Sequence, residues 1–174
     1  MAISLYDASV LSYLQFLDAA EGCLRKGLDW CRDKGVDPQD LVEARLVEDM
    51  HPLRFQIQQV AFHSVGAVAA MRSGVLEFGA PRPQHDYAGL QALVADSAAE
   101  LRALSAAEVN AFEGKDVAFR VPGKGDRVFT AEDFLMSFSL PNFHFHAATA
   151  YDILRAQGAP LGKLDFMGKL RLKG

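Results

Sequence analysis

The chain has 174 residues, of which 50% are apolar and 23% are charged, and its formal net charge is −4. This length suits one domain with an ordinary core, and the composition excludes a disordered tail or a fibre. The negative net charge offers phosphate backbones no broad attraction, so we expect no nucleic-acid partner.

A helical repeat begins at residue 3 and predicts the first long helix. Apolar or small side chains recur at alternating steps of four and three residues, which is the spacing of a buried helix face. The repeat ends at Lys34 and Gly35, a basic residue and a glycine that typically close a helix. Cys23 and Cys31 lie about 12 Å apart along this helix, beyond disulfide reach, so we expect reduced, half-buried packing residues. The repeat consists of Tyr6, Val10, Tyr13, Leu17, Ala20, Leu24, Gly27 and Cys31.

Proline-containing caps predict the start of the next two helices. Asp37 and Pro38 predict a short helix, and a similar cap starts a second long helix over residues 52–73, which ends at Gly74. Residues 76–85 hold glycine and proline without a period, so this segment is predicted to be a loop.

In the second half of the chain, the spacing of apolar residues changes from helical to alternating and then back to helical. A third long helix is predicted over residues 86–104, and Ser105 caps a further short helix. Apolar and polar side chains alternate over residues 116–129 around a glycine-rich turn, which predicts a β-hairpin. Thr130 then caps a fourth long helix over residues 131–157.

These elements together predict one architecture. Four long helices, short connecting helices and a small β-hairpin before the fourth long helix are typical of an all-α four-helix bundle. We assign residues 1–174 to this single domain. The basic side chains between Lys163 and Lys173 are predicted to form a solvated terminus, with binding of an anionic partner as the alternative.

Gln56, Gln59 and His63 share one face of the second predicted helix, with apolar neighbours on both sides. We call these three residues the polar ridge. A buried amide or imidazole without a hydrogen-bond partner costs about 1–3 kcal/mol, so the three groups need one another, water or a bound molecule. The polar ridge therefore predicts that this face of the helix packs against polar groups, water or a bound molecule, and not only against apolar side chains.

His146 lies in the apolar stripe of the fourth predicted helix, within about 60° of Leu135 and Ala150. His144 falls about 160° away, so the two histidines cannot serve one site on a regular helix. Pro141 is expected to kink the helix just before His144. His146 is thus the histidine that faces the bundle interior.

Small residues on the second and fourth helices leave space beside the inward histidines. We therefore predict a polar, water-accessible pocket between these two helices that binds a small molecule. The alternative is that His63 and His146 are satisfied histidines of a helix interface. The small residues are Gly66, Ala67, Ala70, Ala147 and Ala150. The predicted pocket residues are Gln56, Gln59, His63, His146 and Tyr151.

Three stretches of the chain carry a family resemblance. They are Ile3-Ser-Leu-Tyr-Asp-Ala-Ser-Val10, then Asp49-Met-His-Pro-Leu53 with Gln59-Val60, and Leu140-Pro-Asn-Phe-His-Phe-His146 with its continuation to Gly162-Lys163. Together they resemble a bacterial domain-of-unknown-function family that is grouped with the DinB-like (YfiT-type) superfamily. The resemblance covers nearly the whole chain and implies a DinB-like four-helix bundle that is commonly a homodimer.

The same resemblance implies a metal site. Better-characterised members of the superfamily are metal-dependent enzymes, among them thiol S-transferases and a maleylpyruvate isomerase. Their pattern is one histidine on the second helix and a His-x-x-x-His pair on the fourth, which hold a divalent metal such as Zn or Ni. His63 and His146 match two of these positions, but Ala150 stands where the third histidine is expected. A catalytic zinc uses about three protein ligands, so Asp7 or His144 would have to complete the set.

Three functions remain open from the sequence. The leading hypothesis is a small-molecule-binding protein. The first alternative is a divalent-metal-dependent transferase or isomerase, and the second is a non-catalytic homodimeric interaction protein. The chain has no phosphate-binding loop, nucleophile elbow or Cys-x-x-Cys pair that would favour another reaction class.

The expected compartment follows from what the chain lacks. No stretch reaches the roughly 18 consecutive apolar residues of a transmembrane helix. The first residues, Met-Ala-Ile-Ser-Leu-Tyr-Asp, also lack the basic start of a signal peptide. We therefore expect a cytoplasmic protein that has no membrane partner.

Overall fold

Four long helical stretches pack side by side in the computed structural model, which describes residues 3–79 and 82–173. The helices are α1 Leu5–Ala8, α2 Val10–Lys34, α3 Pro38–Val42, α4 Leu53–Phe62, α5 Val65–Ser73, α6 Tyr87–Arg102, α7 Ala106–Asn110, α8 Ala131–Asp133, α9 Leu140–Ala156 and α10 Lys163–Met167. The strands are β1 Val75–Glu77, β2 Asp116–Arg120 and β3 Asp126–Thr130. A π-helix, Phe134–Ser139, lies between α8 and α9.

The long helices α2, α6, α4 and α9 form a closed ring, since α2 and α4 each contact both α6 and α9. Their inward side chains build one apolar core. The predicted all-α four-helix bundle is therefore confirmed, with a small three-stranded sheet attached to it. Among the helices of residues 3–79 and 82–173, none is long and apolar enough to cross a membrane.

The first predicted helix is divided at Ser9 into α1 and α2. Ser4 caps α1 through a capping box with Asp7, and the Ser9 hydroxyl donates to the Leu5 carbonyl at 2.6 Å. A serine that bonds back to the preceding turn competes with the regular helical ladder. α2 stops where Gly35 has a φ of 67°, a left-handed conformation that glycine adopts without strain.

The two cysteines of α2 are fully buried, with 4% of Cys23 and none of Cys31 exposed. The prediction of half-buried cysteines is wrong, because α2 is covered by α6, α9 and α10 and hides more than one stripe. Both are free thiols. Burial raises the pKa of Cys23 to about 11, so this thiol is neutral and unreactive at physiological pH.

The second long helix is predicted as one rod over residues 52–73, but a break at His63 and Ser64 divides it into α4 and α5. The Ser64 hydroxyl donates to the Val60 carbonyl at 2.7 Å, and such back-bonding bends helices. His63 is the cap residue of α4, with a φ of −89° and a ψ of 5°. The break therefore places His63 at a helix end instead of inside a regular helix.

The predicted hairpin is confirmed and belongs to a larger sheet. β2 and β3 pair antiparallel, from Asp116 opposite Thr130 to Arg120 opposite Asp126. β1 pairs parallel with β2 on the other side, although two of its three residues fall in the predicted loop over 76–85. Three residues are too short to show alternation, so the sequence gives no sign of this strand. Residues 80 and 81 of that predicted loop lie outside the described residues.

The fourth long helix is predicted as one helix over residues 131–157, with a kink at Pro141 just before His144. The structure instead has a π-helix, Phe134–Ser139, ahead of the proline. Pro141 lies at the first turn of α9, where its missing N–H is tolerated. The irregularity therefore precedes Pro141, and the kink is not at the predicted position. From Leu140 to Ala156 the helix is regular, which keeps His144 and His146 on different faces.

The C-terminal basic segment is partly packed. Its four basic side chains are exposed as predicted, but the segment also contains α10. Phe166 of α10 packs against Phe16 and Tyr151, with ring centroids 5.2 and 5.7 Å apart, and Lys26 pairs with Asp165 at 2.6 Å. The prediction of a wholly solvated terminus is therefore wrong for α10, because Phe166 packs against α2.

Candidate functional site

The polar ridge of α4 is buried against α9. Gln56 and Gln59 are each 2% exposed and His63 is 4% exposed. The three residues are spaced by three and four positions, so they lie along one face of the helix. α4 contacts α9 along this face, and His146 of α9 meets the ridge there.

The structure brings His63 and His146 together. Their ring centroids are 5.9 Å apart and the ring planes differ by 12°. Aromatic rings surround the pair: Phe62 and Phe138 meet His63 at 5.1 and 5.5 Å, and Phe55 meets His146 at 5.9 Å. We call His63 and His146 the histidine pair.

Gln56 determines the tautomer of His146. The Gln56 amide nitrogen donates to the His51 carbonyl at 2.8 Å, so the amide oxygen must face His146. An amide oxygen only accepts, and therefore the His146 Nδ1–H donates to it at 2.7 Å. The Nε2 atom of His146 is then left with a bare lone pair that can accept a hydrogen bond.

Two polar atoms beside the pair have no partner. Gln59 Nε2 and His63 Nδ1 are buried and form no hydrogen bond with any residue in 3–79 or 82–173. Each buried unsatisfied group costs about 1–3 kcal/mol, and native proteins retain few of them. The ridge thus offers a buried amide donor and an imidazole nitrogen to a group from outside the chain.

Both histidines of the pair are neutral at physiological pH. Burial lowers the pKa of His63 to about 3. Repulsion from His146 in its protonated form and from Arg82 adds to this shift. Burial also lowers the pKa of His146 to about 4, with contributions from Arg82 and His51. The site therefore presents hydrogen-bonding imidazoles and no imidazolium charge.

We expect the free energy of unfolding to fall as the pH drops from about 6.5 towards 4. Histidines of the unfolded chain protonate near their ordinary pKa of 6.5, whereas the folded pair resists protonation until about pH 4 at His146 and about pH 3 at His63. The unfolded chain then binds more protons, so stability is fully present above pH 6.5 and is lost as the pH falls. Urea unfolding at several pH values measures the slope. The His63→Leu/His146→Leu double variant should have a shallower slope, and equal slopes would contradict the assignment.

The backbone at the helix break is held from across the bundle. The Ser139 hydroxyl donates to the His63 carbonyl at 2.7 Å and is 2.8 Å from the Tyr13 hydroxyl. Since the single Ser139 proton goes to the carbonyl, Tyr13 must donate to Ser139. Both hydroxyl-bearing residues are fully buried. This series of hydrogen bonds, from α2 through the π-helix, holds the His63 backbone in place. Its only indication in the sequence is the proline that follows the π-helix.

Arg82 lies near the histidine pair. Its place at the site could not be predicted from the sequence, because it falls in a segment without periodicity. Its guanidinium carbon is 4.8 Å from the Phe55 ring centroid and 5.1 Å from that of Phe78. Phe55 is also in contact with His146. Gln58 of α4 holds the segment that follows, since its amide nitrogen donates to the Pro83 carbonyl at 2.7 Å.

Tyr151 and His144 lie elsewhere. Tyr151, predicted as a pocket residue, packs against Phe166 and accepts a hydrogen bond from Arg155 at 2.7 Å. His144 packs against Phe16 of α2, with ring centroids 4.7 Å apart. The predicted separation of His144 from His146 is thus observed, and Tyr151 belongs to the side of α9 that faces α10.

The small residues do not open the predicted space. Ala147 and Ala150 border a hollow of about 10 Å³ together with Cys23 and Ile57, which leaves room for one water at most. Gly66, Ala67 and Ala70 belong to α5, beyond the helix break, and do not line this hollow. The pocket argument therefore depends on the unpartnered polar atoms and not on these small residues.

The described residues do not complete a zinc site. Within residues 3–79 and 82–173, no three His, Cys, Asp or Glu side chains are grouped so that they could hold a metal. Of the two candidate third ligands, Asp7 binds the Ser4 hydroxyl at the start of α1, and His144 packs against α2. The histidine pair alone supplies two ligands where a catalytic zinc uses about three.

The ring of four helices, with a π-helix and a small sheet before the last one, defines a DinB-like bundle. The crystal structure of a DinB family member from Shewanella denitrificans matches it with a TM-score of 0.80 and 26% sequence identity, over 98% of this chain and 95% of that one. Residues 5–167 match the family described as Domain of unknown function (DUF1993), and the chain belongs to this family. Comparison with the curated proteins gives no match.

Proposed function

We propose that the chain binds a small molecule at the histidine pair between α4 and α9. The observation that carries this proposal is the pair of buried, unpartnered atoms on the polar ridge, Gln59 Nε2 and His63 Nδ1. A ligand that bonds to both atoms would remove about 1–3 kcal/mol of desolvation penalty for each of them. Replacing the ridge by apolar residues would remove the same penalty, so the retained polarity favours a role in binding.

The chemistry of the site describes the ligand. Gln59 Nε2 can donate a hydrogen bond to a ligand, His146 Nε2 can accept one, and the rings of Phe55, Phe62 and Phe138 offer apolar contact. Small-molecule sites in proteins combine aromatic walls with a few placed polar groups. The expected ligand is a small, ring-bearing molecule that has at least one donor and one acceptor.

Benzamide is a suitable first probe, because it carries a ring, a carbonyl acceptor and an amide donor. We expect millimolar benzamide to shift the imidazole NMR signals of His63 and His146 in a saturable way. Saturation transfer from the protein to benzamide reports binding in variants that lack these histidines. The His63→Leu/His146→Leu double variant should lose binding. We expect little net change in its stability, because it removes the unpartnered His63 imidazole but leaves the buried Gln56 amide oxygen without the His146 donor.

The matched control is His144→Leu, which changes a histidine of the same helix outside the pair. This variant should bind benzamide as the wild type does. A double variant that folds and still binds benzamide with unchanged affinity would rule out the proposed site.

Metal-assisted transfer or isomerisation is the second candidate, and the orientation of His146 favours it. A histidine that donates its Nδ1–H to a fixed acceptor and keeps Nε2 free resembles the ligand histidines of metal sites. A bound divalent metal such as Zn or Ni would lower the pKa of a coordinated thiol or water. Elemental analysis of protein purified without chelator decides this candidate: stoichiometric metal that is lost in His63→Ala and His146→Ala supports it, and its absence at micromolar metal concentrations removes it.

A further inference from the structure

Arg82 is a partly buried cation beside the histidine pair. Its guanidinium lies over the rings of Phe55 and Phe78, at 4.8 and 5.1 Å from their centroids. Burial lowers the pKa of this guanidinium from its usual value. The cation also acts on both imidazoles, because its charge lowers the pKa of His63 and of His146.

No carboxylate of the described residues forms an ion pair with Arg82. The acidic residues closest in sequence are engaged elsewhere. Glu77 pairs with Arg120 at 3.2 Å, and Asp86 caps α6 by accepting from the Gly89 N–H at 2.7 Å. The guanidinium is therefore free to take an anion from outside the chain, and arginine is the side chain best suited to bind a planar anion with two parallel hydrogen bonds.

The segment that directly follows Arg82 is held in place by α4. Gln58 of α4 bonds to the Pro83 carbonyl at 2.7 Å and lies 3.1 Å from His85 Nδ1. Arg82 and His146 share Phe55 as a neighbour, since the guanidinium carbon is 4.8 Å and the His146 ring centroid 5.9 Å from the centroid of that ring. A ligand that contacts Phe55 would therefore lie near both groups.

We propose that Arg82 binds a carboxylate group of the molecule that the histidine pair receives, so that the site selects a small ring-bearing carboxylate. This inference rests on the proposed function. Because His63 and His146 are neutral, Arg82 supplies one positive charge next to the pair, which matches a monoanionic carboxylate better than a phosphate dianion. The guanidinium fork and the planar carboxylate also match in shape.

The test compares benzoate with benzamide, which have the same ring and differ in charge. Both probes are titrated into the full chain at constant ionic strength. Binding is followed by the His63 and His146 imidazole signals and, in variants that lack these histidines, by saturation transfer from the protein to the probe. We expect wild-type protein to bind benzoate about tenfold more tightly than benzamide, as a charge-assisted hydrogen bond contributes. Arg82→Met should lose this preference and keep its benzamide affinity, whereas Arg82→Lys should keep part of the preference.

Arg25→Met is the control, because it removes the same charge from an exposed position on α2 and should leave both affinities unchanged. Equal affinity for the two probes in the wild type, or a benzoate preference that survives in Arg82→Met, overturns the role of Arg82. If binding of both probes is still lost in the His63→Leu/His146→Leu variant, the proposed function stands without it. If neither probe shifts the histidine signals, both proposals fail.

Discussion

Ser139→Ala is expected to lower the free energy of unfolding by about 3 kcal/mol. The substitution removes one hydroxyl and leaves two buried groups without a partner, the His63 carbonyl and the Tyr13 hydroxyl. Burial raises the pKa of Tyr13 far above its usual value, so the phenol stays protonated and needs an acceptor. Urea unfolding of the wild type and the variant measures the difference.

Tyr13→Phe provides the comparison for this prediction. It removes the outer donor and leaves the bond from Ser139 to the His63 carbonyl intact, so we expect a loss of only about 1 kcal/mol. The Tyr13→Phe/Ser139→Ala double variant should then be less destabilised than the sum of the single variants, because it has no orphaned phenol. Strictly additive effects would show that the three groups do not form one chain.

Gly27→Ala is expected to destabilise the protein by about 2–3 kcal/mol, although alanine is the better helix former. A Cβ at position 27 would stand 2.6 Å from the Tyr87 hydroxyl oxygen and 3.2 Å from a methyl carbon of Leu154. The Tyr87 hydroxyl cannot withdraw freely, since it donates to the Leu24 carbonyl at 2.7 Å. Glycine thus allows α2 to approach α6 and α9 closely, and thermal or urea unfolding reports the cost of filling the gap.

Gly22→Ala is the matched control in the same helix. The nearest atom to its added Cβ is the Arg25 guanidinium nitrogen at 3.9 Å, so nothing has to move. Helix propensity, which favours alanine over glycine, therefore decides whether this variant is more or less stable. We expect its free energy of unfolding to rise by about 0.5–1 kcal/mol. If both alanines have the same effect, close packing at Gly27 is not the cause. Tyr87→Phe should partly relieve the Gly27→Ala variant, because it removes the oxygen that the new methyl group meets.

The bundle could be predicted because long helices repeat their signal over many turns. A helix is observed along most of the apolar repeat from Tyr6 to Cys31. Helices also start directly after the predicted caps Asp37, Ser105 and Thr130. The features without a sequence signal are short or depend on distant partners. β1 has three residues, and the breaks at Ser9 and Ser64 arise from hydroxyl bonds that a serine forms only in some helices.

The candidate site could be predicted in part, because two of its components lie on regular stretches. The polar ridge follows from positions within α4, and the inward direction of His146 follows from positions within α9. Leu135, predicted to lie near the stripe of His146, is a core residue with 1% exposure, but it belongs to the π-helix and not to the regular stretch that carries His146. Arg82 and Ser139 give no signal, because their contacts join segments far apart in the chain. Metal binding, a homodimer and a cytoplasmic location stay predictions.

The π-helix Phe134–Ser139 shifts the phase of everything that follows it. A wide turn accommodates an additional residue, and each additional residue rotates the downstream helix by about 100° relative to an uninterrupted α-helix. Which stripe of α9 faces α4 therefore depends on the length of this short segment as well as on the residues of the stripe. Loss of one residue there would turn His146 away from His63 while leaving the composition of α9 unchanged. Length variation at this one point is thus a simple route by which relatives of this chain could exchange one inward-facing set of side chains for another.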